Sequence, residues 1–203
     1  MAMVDLLAPL IRIALDRFGD VKVLNKPNLF DSGGVLIASN HKGWADCLWL
    51  AYAVYPHKLF FLSKKELFDK TLHRLFFENV GALPINRGRP SARSIRMACG
   101  ILERGGILLV FPSGTRTEDR VPVKRGAATI AYHAKTPVIP AFYKGPESIE
   151  FKHIFVKPQI VVAFGHPIWM TEGGGKEDIL KASEEIQIEI DRLRDYLAGH
   201  RPS

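Results

Sequence analysis

The sequence predicts an α/β fold, a single domain with a mixed, mainly parallel sheet flanked by helices. Runs such as Val35–Ala38 and Ile107–Phe111 contain only hydrophobic residues, which is typical of strands buried on both faces of a parallel sheet. These runs alternate with segments of helical periodicity, and no internal repeat or low-complexity linker interrupts them. At 203 residues, the chain is long enough for one domain with a substantial core.

Each element of this fold is predicted from local signals. Ser91 is a favoured helix N-cap residue, and Gly105 and Gly106 end the same helix. Strands are expected at residues 35–38, 58–62, 81–85, 107–111 and 137–142, with one or two more within 151–168. Helices are expected at residues 44–54, in parts of 66–79, and at 91–103, 126–134 and 176–198. The domain of residues 1–203 then comprises an amphipathic N-terminal helix within 1–20, a motif-bearing core over 35–142 and the C-terminal helix.

The charge balance indicates an anionic partner. The formal net charge is +7, which favours nucleic acid, anionic lipid or a phosphorylated substrate. Nucleic acid is disfavoured because the positive charges are not gathered in one run and no recognition motif is present. Cys47 and Cys99 lie in apolar helical stretches, so we expect buried thiols in a reducing compartment and neither a disulfide nor a metal site.

Two apolar segments allow more than one interpretation. Met3–Phe18 has helical periodicity but is too short to cross a bilayer, so it forms either a helix packed on the core or one lying in a membrane interface. Glu66–Asn79 carries more large apolar residues than one helix face normally buries: Leu67, Phe68, Leu72, Leu75, Phe76 and Phe77. A broad core contact is the favoured interpretation of this second segment, and an apolar groove or membrane-facing surface is the alternative.

His41 and Asp46 follow the first apolar run and form the first candidate site. Inside one helix, residues five apart point away from each other, so this spacing suits a turn in which the two side chains meet. A carboxylate near a helix N-terminus is favoured by the helix dipole and can fix the tautomer of the imidazole. Such a pair acts as a general base, whereas the alternative is a loop histidine that caps a helix.

The chain resembles the glycerolipid acyltransferase family, and within it the bacterial 1-acylglycerol-3-phosphate acyltransferases. Four stretches carry the resemblance in this order: Asn40–Asp46, Gly81–Arg87, Phe111–Thr117 and Val138–Ala141. Together they span roughly Val35 to Phe142, most of the domain. The His-x4-Asp pattern alone is weak, but its combination with the strand-borne arginine and the Phe-Pro-x-Gly-Thr-Arg box is specific.

The resemblance implies a role for each motif residue. His41 is the general base and Asp46 orients it, while Pro140 lies near the acyl-binding side. The acceptor phosphate is bound by a second group, which agrees with the planar, bidentate chemistry of arginine: Arg87, Gly114, Thr115 and Arg116. Lys42, Lys124 and Arg125 add to the positive field of this pocket.

The reaction that the resemblance implies moves a fatty acyl group from acyl-CoA or acyl carrier protein to the 2-hydroxyl of lysophosphatidic acid, giving phosphatidic acid. It needs no covalent acyl-enzyme, metal or cofactor. Because the substrates are lipids, we expect a peripheral protein at the cytoplasmic face of the cell membrane, whose oligomeric state is open. Its expected partners are the membrane lipid surface and the acyl donor, and nucleic acid is not among them.

One departure from the family pattern keeps an alternative open. The third box normally reads Phe-Pro-Glu-Gly-Thr-Arg, and Ser113 replaces the glutamate. The change bears on acceptor identity more than on reaction type, so another lysophospholipid or lipid acceptor is an alternative. A non-catalytic protein that binds anionic lipid is the alternative from another class.

Other kinds of site find no support in the sequence. The residues around Ser113 do not form a Gly-x-Ser-x-Gly nucleophile elbow, and no Walker loop or dinucleotide glycine signature is present. The remaining histidines have no metal-ligand spacing and are expected to be surface or packing residues: His57, His73, His133, His153 and His166.

Overall fold

A computed structural model describes residues 2–27, 29–86, 91–114, 124–170 and 175–199. Within these residues there are seven strands: β1 (Asp20–Leu24), β2 (Val35–Ser39), β3 (Leu59–Lys64), β4 (Ala82–Ile85), β5 (Ile107–Val110), β6 (Val138–Lys144) and β7 (Gln159–Phe164). They form one sheet in the order β1-β7-β6-β2-β5-β3-β4. The helices are α1 (Ala2–Leu15), α2 (Leu29–Ser32), α3 (Ala45–Val54), α4 (Thr71–Asn79), α5 (Ala92–Glu103), α6 (Gly126–Ala134) and α7 (Gly175–Gly199), with short 3-10 helices at Lys65–Phe68 and Phe151–Ile154.

The sheet is mixed and mainly parallel, which confirms the predicted fold class. Strand β2 is parallel to both of its neighbours, so Ile37 lies opposite Leu109 of β5 on one side and Ile139 of β6 on the other. Strand β7 is antiparallel to β6, and β1 is parallel to β7. The carboxyl ends of β2, β5 and β6 therefore lie at one edge of the sheet, which we call the carboxyl edge.

Hydrophobic cores on both faces of the sheet explain the purely apolar strands. Alternate side chains of β2 point to opposite faces: Ile37 packs with Trp49 of α3, while Leu36 packs with Leu102 of α5 and Ile186 of α7. Helix α6 also lies on the α5 and α7 side. A central strand covered on both faces by helices gains stability only from apolar residues at every position.

Helix α5 begins and ends where the sequence predicts. The Ser91 hydroxyl accepts a hydrogen bond of 3.1 Å from the backbone N–H of Ser94, which satisfies one of the first amides of the helix. Gly105 follows the last turn with a φ of +79°, the left-handed conformation that glycine adopts without a steric penalty.

The prediction of two buried thiols is confirmed for one of the two cysteines. Cys99 is buried, whereas Cys47 is only half-buried. Burial raises the pKa of the Cys99 thiol, and the negative charge of Glu103 adds to the rise. A buried thiol with a raised pKa is a poor nucleophile, so Cys99 serves packing.

Strand β1 and helix α2 were not predicted. Strand β1 carries Asp20 and Lys22, and its half-exposed position at the edge of the sheet requires no continuous apolar run. Helix α2 lies inside the segment 27–34, for which a loop was expected, and it has only four residues. Both elements are too short and too polar for a periodic signal to develop.

The favoured prediction of a broad core contact for Glu66–Asn79 is wrong. The segment is divided into the 3-10 helix Lys65–Phe68 and helix α4, and in α4 no residue is fully buried. Leu72 is 80% exposed and Phe76 is 61% exposed, because no element among the described residues covers the outer face of α4. The alternative, an exposed apolar surface, fits this arrangement.

Within residues 8–15 of α1, whose side chains the structure describes, the last turn contributes to the core. Leu15 is buried, and Arg12 lies over the rings of Tyr52 and Tyr55, which fixes this part of α1 to helix α3. The preceding turns expose Leu10 and Ile13, together with Ile11. None of the helices in the described residues has the length and apolar character needed to span a bilayer.

A truncation at the centre of the sheet tests this core. Leu109 of β5 is fully buried, so Leu109→Ala removes packed atoms and leaves a cavity that costs about 2–5 kcal/mol in the free energy of unfolding. Urea denaturation measures this cost. The matched control is Leu72→Ala on the exposed face of α4, expected to change stability by less than about 0.5 kcal/mol. Equal losses for the two variants would contradict the assignment of core and surface.

Candidate active site

His41 and Asp46 meet on the loop that joins strand β2 to helix α3. His41 lies on the loop and Asp46 in the first turn of the helix. Nδ1 of His41 lies 2.9 Å from Oδ2 of Asp46, and both side chains are buried. The predicted contact between these two side chains is therefore confirmed, while their chemical roles stay a prediction.

The carboxylate of Asp46 is held by backbone amides as well as by His41. The N–H of Lys42 donates to Oδ2 at 2.6 Å, and the N–H of Gly43 lies 3.1 Å from both oxygens. An ionised carboxylate only accepts hydrogen bonds, so the proton between Asp46 and His41 belongs to Nδ1 of the imidazole. The neutral ring then carries its lone pair on Nε2, the atom that can take up a proton.

Phe111 fixes the plane of the His41 ring from the neighbouring strand. The two rings are stacked, with centroids 4.0 Å apart and planes inclined by 14°. Phe111 follows the end of β5, which lies beside β2, so the parallel register brings both residues to the carboxyl edge. Between this ring and the Asp46 carboxylate, the imidazole has little freedom to rotate.

A side-chain contact across the sheet positions the residue before His41. The Asn40 amide donates to the backbone oxygen of Tyr143 at 2.9 Å and accepts from the Tyr143 N–H at 2.7 Å. The buried Tyr143 hydroxyl donates to the Pro146 oxygen at 2.7 Å. Burial raises the pKa of Tyr143, and the negative charge of Asp46 adds to the rise, so this hydroxyl serves as a neutral donor.

Gly43 allows a second loop to pack against the His41–Asp46 loop. A Cβ on Gly43 would overlap the backbone oxygen of Glu147 and come within 2.6 Å of its Cα. The same Glu147 oxygen accepts a hydrogen bond of 3.3 Å from the N–H of Ala45, the first residue of α3. The close approach therefore requires glycine at position 43.

The third motif forms a tight turn beside His41. The N–H of Gly114 donates to the Phe111 oxygen at 3.0 Å, and Gly114 has a φ of +70°. Lys124 returns to this turn: its N–H donates to the Pro112 oxygen at 3.0 Å, and its ammonium lies 3.0 Å from the point that a Cβ on Gly114 would occupy. Ser113 is half-buried on the turn. A positive charge is thus placed at the carboxyl edge.

The other predicted site residues are only partly brought together. Arg87, Thr115 and Arg116 lie outside the described residues. Arg125 is exposed at the start of α6. Pro140 is buried within β6, and its Cβ lies near Gly165 on the α7 side of the sheet, away from α3. Lys42 is half-buried, and its backbone N–H holds Asp46.

Sequence reasoning missed several residues that build the site. Asn40, Gly43 and Phe111 were noted as parts of motifs but received no role, and their positions directly beside predicted functional residues were the available signal. Tyr143 and Glu147 carry no local signal at all, because they reach the site only through the tertiary fold.

A groove of about 1120 Å³ lies between α4, β4 and α5, beside the second motif. Its described lining includes Asn86, which precedes Arg87, and a single carboxylate, that of Glu78. Five cations line it: Lys65, Arg74, Arg93, Arg96 and Arg104. Apolar side chains line it as well: Phe60, Leu83, Met97 and Ile101. Among the described residues, no cluster of histidine, cysteine and carboxylate side chains has the arrangement of a metal site.

The chain is similar in sequence to known acyltransferases. A family model described as Acyltransferase matches residues 20–144. The 1-acyl-sn-glycerol-3-phosphate acyltransferase of Bacillus subtilis is 36% identical over 190 residues, which cover 92% of this chain and 94% of that protein. The enzyme of the same name from Streptococcus pneumoniae is 34% identical over 166 residues, which cover 80% of this chain and 61% of that protein.

A solved structure has the same fold. The crystal structure of the 1-acyl-sn-glycerophosphate (LPA) acyltransferase PlsC from Thermotoga maritima superposes with a TM-score of 0.67 and covers 92% of this chain and 75% of that one, at 21% sequence identity. The match to the family model and the extended similarity to the Bacillus subtilis protein favour an enzyme over a non-catalytic binder. The chain belongs to the acyltransferase family.

Proposed function

We propose that this acyltransferase moves a fatty acyl group from a thioester donor, acyl-CoA or acyl carrier protein, to the 2-hydroxyl of lysophosphatidic acid, giving phosphatidic acid. The observation that carries the proposal is the buried hydrogen bond between His41 and Asp46. It leaves Nε2 of His41 as the basic ring nitrogen at the carboxyl edge. The names of the two bacterial relatives support lysophosphatidic acid as the acceptor.

His41 acts as a general base in this mechanism. Nε2 takes the proton of the acceptor hydroxyl, whose oxygen forms a bond to the thioester carbonyl carbon. The resulting tetrahedral oxyanion collapses, the carbon–sulfur bond breaks, and the imidazolium returns the proton to the departing thiolate. Asp46 stabilises the imidazolium while it exists, and the Phe111 ring keeps its plane fixed.

The acceptor phosphate is assigned to the arginines of the second and third motifs. Arg87 and Arg116 supply planar guanidinium groups for bidentate contact, and Gly114 and Thr115 shape the same pocket. The ammonium of Lys124 lies against Gly114 and adds positive charge there. The domain of residues 1–203 then holds the base and the phosphate site at one edge of one sheet.

Because its proposed substrates are lipids, the enzyme would act at a membrane surface. The basic net charge and the exposed apolar side chains of α1 and α4 support peripheral attachment to an anionic leaflet. We propose the cytoplasmic face of the cell membrane as the location. The cationic and apolar groove beside β4 supports substrates that are anionic amphiphiles.

Ser113 supports a second candidate within the same chemistry. It lies on the turn next to Gly114, where the family motif has glutamate, and a hydroxyl cannot orient an arginine as a carboxylate does. The second candidate is an acyltransferase that uses another lysophospholipid or lipid acceptor.

Removal of the proposed base tests the mechanism. His41→Ala is expected to lower kcat by about 10²–10⁴-fold, because the acceptor hydroxyl loses its proton acceptor. Release of free thiol from palmitoyl-CoA in the presence of lysophosphatidic acid measures the rate. His133→Ala, an exposed position on α6, is the control and keeps wild-type activity. A folded His41→Ala enzyme with wild-type turnover would exclude His41 as the base.

The alternative acceptor predicts a gain of function. Ser113→Glu restores the family carboxylate and raises kcat/KM for lysophosphatidic acid about tenfold relative to a panel of other lysophospholipids, a change of about 1.4 kcal/mol in transition-state stabilisation. Ser113→Gln introduces a side chain of the same size as glutamate but without its charge, so it separates the effect of charge from the effect of size. An unchanged ratio of kcat/KM values removes residue 113 as a reason to expect another acceptor.

The close contact at Gly43 predicts that a methyl group disturbs the site. Gly43→Ala displaces the Glu147 backbone or the amides that hold Asp46, so we expect a loss of about 1–3 kcal/mol in stability together with a lower kcat. Thermal denaturation and the thiol-release assay measure the two effects. In Gly126→Ala, the control, the new Cβ has no atom within 4 Å. Wild-type values for Gly43→Ala would show that the two loops can separate at no cost.

A further inference from the structure

A short segment between β6 and β7 exposes an unusual amount of apolar surface. Phe151 is 74% exposed, Phe155 76% and Val156 75%, and Ile154 is exposed beside them. We call these four side chains the 151–156 patch. Single exposed apolar residues are common on protein surfaces, whereas contiguous exposed groups indicate an interaction site.

The 151–156 patch is held in a defined conformation. The 3-10 helix Phe151–Ile154 is closed by a capping box, in which the Glu150 side chain binds the backbone N–H of His153 and the His153 ring accepts from the Glu150 N–H at 3.1 Å. The rings of Phe151 and Phe155 meet edge to face, with centroids 5.8 Å apart. Local contacts therefore hold the exposed rings in a defined arrangement.

The segment that bears the patch is anchored at the carboxyl edge on both sides. Before it, the Glu147 backbone packs against Gly43 of the His41–Asp46 loop. After it, the Pro158 oxygen accepts a hydrogen bond of 3.0 Å from the N–H of Asp20, where β1 begins beside β7. The patch thus lies at the same edge of the sheet as His41.

Two lysines and an aromatic side chain lie around the patch. Lys152 is exposed within the segment and forms an ion pair of 2.8 Å with Glu150, and Lys157 follows it and donates to the backbone oxygen of Asp16 at 2.6 Å. Trp44, on the His41–Asp46 loop, is about half exposed at the same edge. Aromatic side chains with lysines beside them suit the boundary between acyl chains and anionic headgroups.

We propose that the 151–156 patch inserts into the surface of an anionic bilayer and thereby sets the His41 edge against the membrane. The proposal rests on the proposed function, because a lysolipid acceptor resides in that bilayer. A bilayer is favoured over a second copy of the chain as the occupant, since the formal net charge of +7 makes two copies repel each other and attracts anionic lipid.

Sedimentation with vesicles of phosphatidylcholine and phosphatidylglycerol in equal parts tests the proposal. The double variant Phe151→Ser, Phe155→Ser is expected to have a partition coefficient onto these vesicles at least about tenfold lower than that of wild type. The reason is that it lacks the two aromatic rings whose transfer from water into the membrane favours binding. The matched control is Trp169→Ser. Trp169 is 63% exposed, but it follows Ile168, which pairs with the first residue of β6 at the opposite edge of the sheet. The control is expected to bind as wild type does.

Turnover distinguishes the role of the patch from the proposed function. The double variant is expected to lose activity about tenfold on lysophosphatidic acid embedded in vesicles and to keep wild-type activity on a short-chain, monomeric lysophosphatidic acid. Equal vesicle binding by wild type and double variant would overturn the inference. So would a dimer seen without lipid by sedimentation velocity and lost in the double variant. If wild type shows no turnover, the acceptor assignment fails, and the binding comparison still decides the role of the patch.

Discussion

The buried carboxylate of Asp46 sets the constraint on which the rest of the site depends. A charged group out of water is tolerated only when donors surround it, and the local chain supplies them from His41 and from the amides of Lys42 and Gly43. These contacts force the loop into a tight turn. This turn brings Gly43 so close to the Glu147 backbone that no side chain fits between the two loops. One electrostatic requirement thus explains the loop geometry, the glycine and the packing of the next loop.

The parallel sheet converts residues that are distant in sequence into neighbours at one edge. Strands β2, β5 and β6 are adjacent and parallel, so the residues that follow them lie close together at the carboxyl edge. The stacking of Phe111 on His41 and the paired hydrogen bonds of Asn40 with Tyr143 are direct results of this register. Because the strands are buried on both faces, these positions are rigid, and a general base gains from such rigidity.

The sequence predicts the parts of the fold that depend on local patterns. The apolar runs identify the central strands, and the Ser91 cap identifies the start of α5, because strand burial and capping are properties of neighbouring residues. The outcome for Glu66–Asn79 shows the limit: its apolar residues predict burial, yet whether another element covers α4 depends on tertiary packing. The contact of Asn40 with Tyr143 joins residues 103 positions apart, and no spacing rule contains it.

In the proposed function, the exposed apolar side chains and the buried His41–Asp46 pair would serve the same lipid substrate. A lysolipid places its phosphate in water and its acyl chain in hydrocarbon, so the hydroxyl that reacts lies at the boundary between them. An enzyme that deprotonates this hydroxyl needs its base at that depth, and the proposed base, His41, is held at the carboxyl edge by Asp46 and Phe111. Exposed aromatic side chains on the segment that packs against Gly43 would set that depth, since their distance from the base is fixed by the fold. Chemistry and membrane position would then be coupled through the backbone contacts that Glu147 makes with Gly43 and Ala45.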